Sequence, residues 1–166
     1  METRVGRDAE AKVWAMIKDI KVAMMTTHAD GEHFHARPMV ATQREFSDGT
    51  LWFFTDKRSR KVDELEDNHR VLLAYADWDS QNYVSIDGTA EVIEDRARIA
   101  ELWSEGMRTW FPQGKDDPNI ALLKVKVESA EYWDSPSSTM VHAYGYLKAV
   151  TTGQRPNPGE TGRVLF

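Results

Sequence analysis

No cysteine occurs in the 166-residue chain, which excludes disulfides, thiolate metal sites and thiol nucleophiles together. Nothing approaches eighteen consecutive apolar residues, so no membrane-spanning helix is expected. The charged N-terminal stretch METRVGRDAEAKVW lacks the apolar segment of a secretory signal, and a cytoplasmic protein is the expectation. Positive charge is in deficit: 21 Lys and Arg face 27 Asp and Glu, for a formal net charge of -6 and a pI near 5.4. That balance argues against a broad surface tracking nucleic-acid phosphates. A glycine-rich phosphate loop, a nucleophile elbow and a zinc signature are also missing. What remains is 41% apolar and 29% charged residues, the composition of an ordinary globular domain long enough for one core and short for two.

The apolar pattern supplies the element order. Val13, Ile17 and Ile20 recur at helical spacing within Asp8 to Ile20, with acids early and lysines late as a helix dipole favours. Lys21 to His28 reads as a strand, and Ala29 to Glu32 as a turn centred on Asp-Gly. His35 to Phe46 is extended, Ser47 to Thr50 is a second hairpin signal, and Leu51 to Thr55 is a short aromatic strand. A helix is expected from Ser59 to Asn68. Arg70 to Ala76 is almost continuously apolar, as for a strand buried on both faces. Val84, Ile86, Gly88, Ala90 and Val92 alternate along Tyr83 to Glu94. Asp95 to Trp110 reads as an amphipathic helix, and Leu122 to Trp133 as a further strand. The Gly- and Pro-rich last residues, 151 to 166, are expected to be an arm or a frayed tail. About six strands and two or three helices predict a single α+β domain over residues 1 to 150, mainly antiparallel, plausibly a small barrel.

One stretch stands against the overall acidity. In FFTDKRSRKVDEL, Lys57, Arg58, Arg60 and Lys61 follow directly on an aromatic strand. If a helix starts near Ser59, its bases come first and its acids follow, against the dipole, at a cost of roughly 0.3 to 1 kcal/mol per charge. An anion at the helix start would reverse that, with free backbone N–H groups, the Ser59 hydroxyl and Lys61 converging on it. The ordinary alternative is a solvated helix on which Arg60 and Lys61 pair with Glu64 and other acids. The neighbouring run Leu51-Trp52-Phe53-Phe54-Thr55 adds an apolar wall of the kind a flat, phosphorylated cofactor needs. Other clusters carry less. His28, His33 and His35 invite a metal reading, but no further ligand falls at convincing spacing. Trp52, Trp78, Trp103 and Trp110 read as core, or as dimer contacts where exposed.

Taken in order, Ala36-Arg37-Pro38-Met39-Val40, Phe53-Phe54-Thr55, Ser59-Arg60-Lys61, Arg70-Val71-Leu72-Leu73-Ala74, Asp87-Gly88-Thr89-Ala90-Glu91 and Glu131-Tyr132-Trp133-Asp134 form a recognisable set. Over roughly residues 8 to 148 the chain resembles the FMN-binding split β-barrel superfamily of pyridoxamine 5'-phosphate oxidase, and within it the bacterial general stress proteins. The resemblance implies a six-stranded split β-barrel with flanking helices, binding FMN, with FAD as the alternative. It places Arg37 at the phosphate and ribityl chain, and Pro38, Met39 and Val40 at the isoalloxazine edge. Phe54 and Thr55 would meet the ribityl and phosphate side, and Ser59, Arg60 and Lys61 would clamp the phosphate. Asn82, or Tyr83 beside it, would reach the ring. It further implies a homodimer with flavin at the interface, where Trp133 would reach the partner's flavin.

The departures are as informative. The oxidase follows that Trp with an Arg-x-His signature, whereas here no Arg occurs between Trp133 and Arg155, and His142 lacks its Arg neighbour. The cofactor half of the family's site is present and the substrate clamp is not, so oxidation of pyridoxamine phosphate is not expected. Two functions stay open: a flavin-dependent oxidoreductase drawing on a reduced nicotinamide nucleotide or another small molecule, and a flavin-binding stress protein that sequesters or senses the cofactor without turnover. No catalytic residue is assigned, and neither a metal nor a nucleic-acid or membrane partner is expected.

Overall fold

The computed structural model describes residues 1–29, 31–46, 48–135 and 159–166. Two expected turns therefore lack one residue each, and His142 lies outside the described residues. Strand β1 (Glu2–Val5) precedes helix α1 (Arg7–Ile20). Strands β2 (Val22–Ala29), β3 (His33–Val40) and β4 (Thr50–Asp56) follow, then α2 (Arg60–Asp67), β5 (Arg70–Asp77), β6 (Asn82–Ile93) and α3 (Arg96–Leu102). Short 3-10 turns at Glu105–Thr109 and Gly114–Asp116 lead to β7 (Ile120–Asp134) and β8 (Glu160–Leu165).

The eight strands form one mostly antiparallel sheet in the order β1-β8-β7-β6-β5-β2-β3, with β4 on β7; only β1 and β8 run parallel. The fifteen-residue β7 is its spine. β6 runs along one edge, while β4 takes Ile120 to Lys126 and β8 takes Ser129 to Asp134 on the other. At Gly88 the register of β6 on β7 shifts, and a β-carbon there would stand 2.3 Å from the Lys126 carbonyl oxygen. Only glycine allows that approach.

The main core lies between α1 and the inner sheet face, where Val13, Met16 and Ile17 of α1 meet Met25, Leu51, Phe53, Leu73, Ile86, Leu123 and Tyr132. A smaller core gathers Phe54, Ile99, Phe111, Ile120 and Leu122, with Trp52 and Trp103 against it. Trp78 and Trp110 are exposed. Among the described residues no helix is long and apolar enough to cross a membrane.

Four expectations are corrected. Strands β3 and β4 do not form a hairpin, because the nine residues between them exceed a tight turn and β4, apolar on both faces, pairs with β7 instead. What joins the two segments is Thr42 N–H donating to Trp52 O at 2.8 Å. The Gln43 carboxamide spans Thr50 O (2.7 Å) and Trp52 N–H (2.9 Å), replacing a rung of backbone ladder. Strand β5 is buried on one face only, since Leu72, Ala74 and Ala76 point outward, where no described element forms a second layer. The helix expected from Asp95 to Trp110 stops at Leu102. Asp95 caps its start through Ala97 and Arg98 N–H, but Trp103 turns to extended backbone so that its ring packs against Phe54. Finally, the expected tail ends in β8. Its strand is fixed by Tyr132, whose hydroxyl donates to Glu160 (2.8 Å) and accepts from Arg4 (2.8 Å). Eight strands are described where about six were expected.

Candidate anion site around Lys61 and Glu64

Helix α2 begins where the basic stretch places it. Ser59 is its N-cap, in extended conformation, yet the Ser59 side chain makes no capping bond to the helix. Its Oγ instead accepts from Lys61 Nζ at 3.0 Å and lies 3.3 Å from Thr55 Oγ1. The first turn contains Arg60 and Lys61 together with Asp63, and the last turn contains no base, so the two bases oppose the dipole as the sequence implies while Asp63 alone follows it. Lys61 is half-buried and, among the described residues, has no carboxylate at ion-pair distance. Burial first, and then repulsion from Arg37, lowers its pKa, while Asp56 and Glu64 act weakly the other way. This ammonium is under-compensated: an anion beside it would offset both the burial and the repulsion.

Arg58 has another use. Its guanidinium donates to both Asp56 oxygens, at 3.0 and 2.7 Å. The side-chain hydrogen bonds from Arg58 are the leading cause that brings the Asp56 pKa down to about 2. Lys57 pairs with Glu94 at 3.1 Å. These two cations are thus matched locally, leaving Lys61, beside the Ser59 and Thr55 hydroxyls, unmatched among the described residues.

Arg37 reaches the site from β3. Its Nη1 donates to Thr27 Oγ1 (2.5 Å) and its Nη2 to Glu64 Oε2 (2.9 Å). Glu64 is the hub: only 7 % exposed, it also accepts from Thr27 Oγ1 at 2.5 Å, meets His35 Nδ1 at 2.6 Å, and pairs with Arg60 Nε at 3.2 Å. The solvated-helix alternative is therefore right about the Arg60–Glu64 pair and wrong about its setting, because Glu64 faces inward. Burial alone would raise the Glu64 pKa, but hydrogen bonds from Thr27, His35 and Arg37 outweigh it and bring it down to about 2. Sequence reasoning did not assign Thr27, His35 or Glu64 to the site. The signal for Glu64 was its i+4 spacing from Arg60; nothing local marks Thr27.

The remaining predicted residues separate. On β3, Arg37 and Met39 face inward, and Met39 packs against the main core, while Pro38 and Val40 lie on the opposite, exposed face. The Phe54 ring is buried in the smaller core and Thr55 is buried beside Ser59. Asn82 and Trp133 sit at the other end of the sheet. Asn82 Oδ1 accepts from Ser135 N–H (3.1 Å), and Trp133 pairs with Tyr83. Thr55 pairs with Ala121, twelve residues before Trp133 on β7, which is on the order of 40 Å of extended strand. Within one chain, Trp133 and Lys61 do not share a site.

The geometry is that of an α+β domain with a partly buried, under-compensated ammonium at a helix start. The chain belongs to the pyridoxamine 5'-phosphate oxidase-like family, whose model matches residues 8–157. It is 30% identical to general stress protein 26 of Bacillus subtilis over 139 residues, 81% of this chain and 95% of that one. Among solved structures, a candidate general stress protein 26 from Jannaschia sp. CCS1 is 26% identical, covers 96% of this chain and 98% of its own, and superposes with a TM-score of 0.74. The general stress FMN/FAD binding protein of the phytopathogen Xanthomonas citri is 33% identical over 80% of this chain and 93% of that one, with a TM-score of 0.69.

The depressed Glu64 pKa gives a signed expectation. Because the folded value lies below the ordinary 4.5, Glu64 contributes stability above about pH 4.5 that is lost as pH falls towards about 2. Glu64→Gln should lower unfolding free energy by about 2–3 kcal/mol at pH 7, measured by urea denaturation. The gap to the wild type should close as both are titrated down towards pH 2–3. A gap unchanged by pH would mean that charge is not what Glu64 contributes.

Proposed function

We propose that the site binds the 5'-phosphate of FMN and that the protein is a flavin-dependent oxidoreductase of the general stress group. The observation that carries this is Lys61, half-buried, repelled by Arg37 and, among the described residues, without a carboxylate at ion-pair distance, beside two hydroxyls at a helix start. The donor set suits a phosphate monoester: an ammonium, the free edge of a guanidinium, hydroxyls and unpaired helix N–H groups. Lys61, Ser59, Arg60 and Thr55 would hold the phosphate, with Arg37 at the ribityl side. Phe54, whose ring is committed to the smaller core, would contribute through its backbone. When bound, FMN supplies hydride transfer; the chain's own part is to anchor, orient and shield it. The FMN/FAD-binding description of the Xanthomonas citri relative supports a flavin.

The arrangement is proposed as a homodimer of six-stranded split barrels. Strands β2 to β7 would form the barrel, its seam made by Thr42 and Gln43 against β4. Val22, Met24, Phe34, Val40, Leu72 and Trp133 share the outer sheet face at 36 to 63 % exposure, and the sheet rows also carry Ala36, Pro38 and Ala74 there. A contiguous apolar sheet face of this kind calls for a second layer. A second copy would supply it, with flavin at the junction, Pro38 and Val40 near its edge, and Asn82 and Trp133 delivered to the partner's site. A cytoplasmic setting and a reduced nicotinamide nucleotide as electron donor belong to the same proposal.

A second reading, flavin binding without dedicated turnover, is favoured by one observation: the sequence carries no Arg between Trp133 and Arg155 to clamp a phosphorylated substrate. Anaerobic addition of NADH or NADPH to FMN-loaded protein separates the two, because bleaching of the flavin supports the oxidoreductase and persistent yellow supports the second reading. For the clamp, Lys61→Ala should weaken FMN about 10-fold or more while riboflavin changes less than about twofold, by fluorescence titration. Equal losses would refute the phosphate assignment. For the dimer, Leu72→Glu places a charge in the proposed interface and should yield monomers in sedimentation experiments where the wild type sediments as a dimer. A monomeric wild type would refute it.

A further inference from the structure

Among the described residues, one buried side-chain polar atom has no hydrogen-bond partner: the hydroxyl oxygen of Tyr75. The residue is only 3 % exposed, and a hydroxyl taken out of water without a partner is costly enough to call for an account. Tyr75 lies on the inner face of β5, between Ala23 of β2 and Val84 of β6. It also lines a cavity of about 80 Å³ beside the end of α1. Its neighbours Leu73, Ala23 and Val84 are not in that lining. Val40 and Ala41 are, at the end of β3, and β3 is two strands from β5, about 10 Å across the sheet. Ala23, in between, carries only a methyl group, so the Tyr75 ring has room to lie across β2. The ring therefore meets the cavity with its outer end, the end that carries the hydroxyl.

Trp14 and Ile17 of α1 join Val40 and Ala41 as apolar walls. The polar groups are donors. Burial raises the Tyr75 pKa well above the ordinary phenol range, so the hydroxyl keeps its proton. Lys18, in the last turn of α1, and Lys21, its C-cap, are exposed lining residues. Among the described residues neither has a carboxylate at ion-pair distance, and no carboxylate lines the cavity. Lys21 also holds φ at 71°, a left-handed backbone that a non-glycine residue adopts at a cost. The carbonyl end of α1 carries about half a negative charge, which two ammonium groups exceed. Gln43 adds little, because its carboxamide is committed to Thr50 and Trp52. The volume equals that of about two or three waters, enough for an organic molecule of about four to six heavy atoms.

We infer that this cavity is a binding site for a small carboxylate of the size of acetate or propionate. One carboxylate oxygen accepts from the Tyr75 hydroxyl, the charge faces Lys18 and Lys21, and the alkyl part lies against Trp14 and Ile17. None of the clamp residues takes part, so the site stands or falls independently of the flavin reading.

The test is a titration of nitrogen-labelled protein with sodium propionate, followed by NMR, with propionamide as the neutral isostere and sodium chloride as the ionic-strength control. Propionate should shift the Lys21 and Ala41 amides and the Trp14 indole N–H, saturating at about millimolar concentration. Neither control should do so. Tyr75→Phe keeps the ring that fills the core and should weaken propionate about 10-fold or more, and Lys18→Gln with Lys21→Gln about 3-fold or more. Without propionate, Tyr75→Phe should be no less stable to urea than the wild type, because it removes a buried hydroxyl that has no partner. A response that does not saturate or that either control reproduces would overturn the site on the wild type alone. So would an unchanged affinity in Tyr75→Phe. A Tyr75→Phe protein less stable than the wild type would mean that the hydroxyl is already held by another partner, which also contradicts the proposal.

Discussion

A carboxylate taken out of water costs several kcal/mol unless hydrogen bonds and opposite charge replace the solvent. Glu64 meets that requirement with a hydroxyl from β2, an imidazole and a guanidinium from β3, and a guanidinium from its own helix. The consequence is positional. Three elements distant in sequence must meet at one carboxylate, and α2 is thereby set with its first turn, and so Ser59 and Lys61, against the end of β4. Remove the carboxylate and Arg37 and His35 lose their common anchor; remove Thr27 and both Arg37 and Glu64 lose a partner.

The sheet complements that constraint. β7 carries β4 at one end and β8 at the other, so a single strand spans from the clamp region to the end where Asn82 and Trp133 sit. The inner face is filled by α1 and the main core, whereas the outer face keeps its apolar residues exposed among the described residues. Clamp and aromatic end are too far apart to serve one ligand within one protomer. The homodimer proposed above would bring the two ends together across two chains.

Much of this was legible in the sequence, and the parts that were not share a cause. Helix α1, the strands β2, β6 and β7, and the start of α2 follow from apolar periodicity and charge order along the chain, which are local. The clamp residues Thr55, Ser59 and Lys61 are close in sequence, so their meeting at the β4–α2 junction needs little long-range information. Glu64, Thr27 and His35 were missed because their role arises from packing between elements, and an inward-facing Glu on a charged helix looks like any solvated acid. The continuously apolar β5 was expected to be buried twice; its outward Leu72 and Ala74 are instead exposed, because which faces are covered is set by the packing of distant elements. The early stop of α3 has the same origin, since the ring of Trp103 follows the second core rather than helical propensity. The final strand was hidden by Gly and Pro, and it is held by Arg4, Tyr132 and Glu160, residues from opposite ends of the chain.

The central claim is that an anion, the terminal phosphate of a flavin, completes the charge arrangement at Lys61. Phosphorus NMR of FMN added to the protein observes that group directly. The account predicts a bound signal distinct from free FMN that does not titrate between about pH 5 and 8, because the clamp holds the phosphate as a dianion while the free group changes charge near pH 6. A bound flavin whose phosphorus signal coincides with that of free FMN and titrates with it would contradict the account.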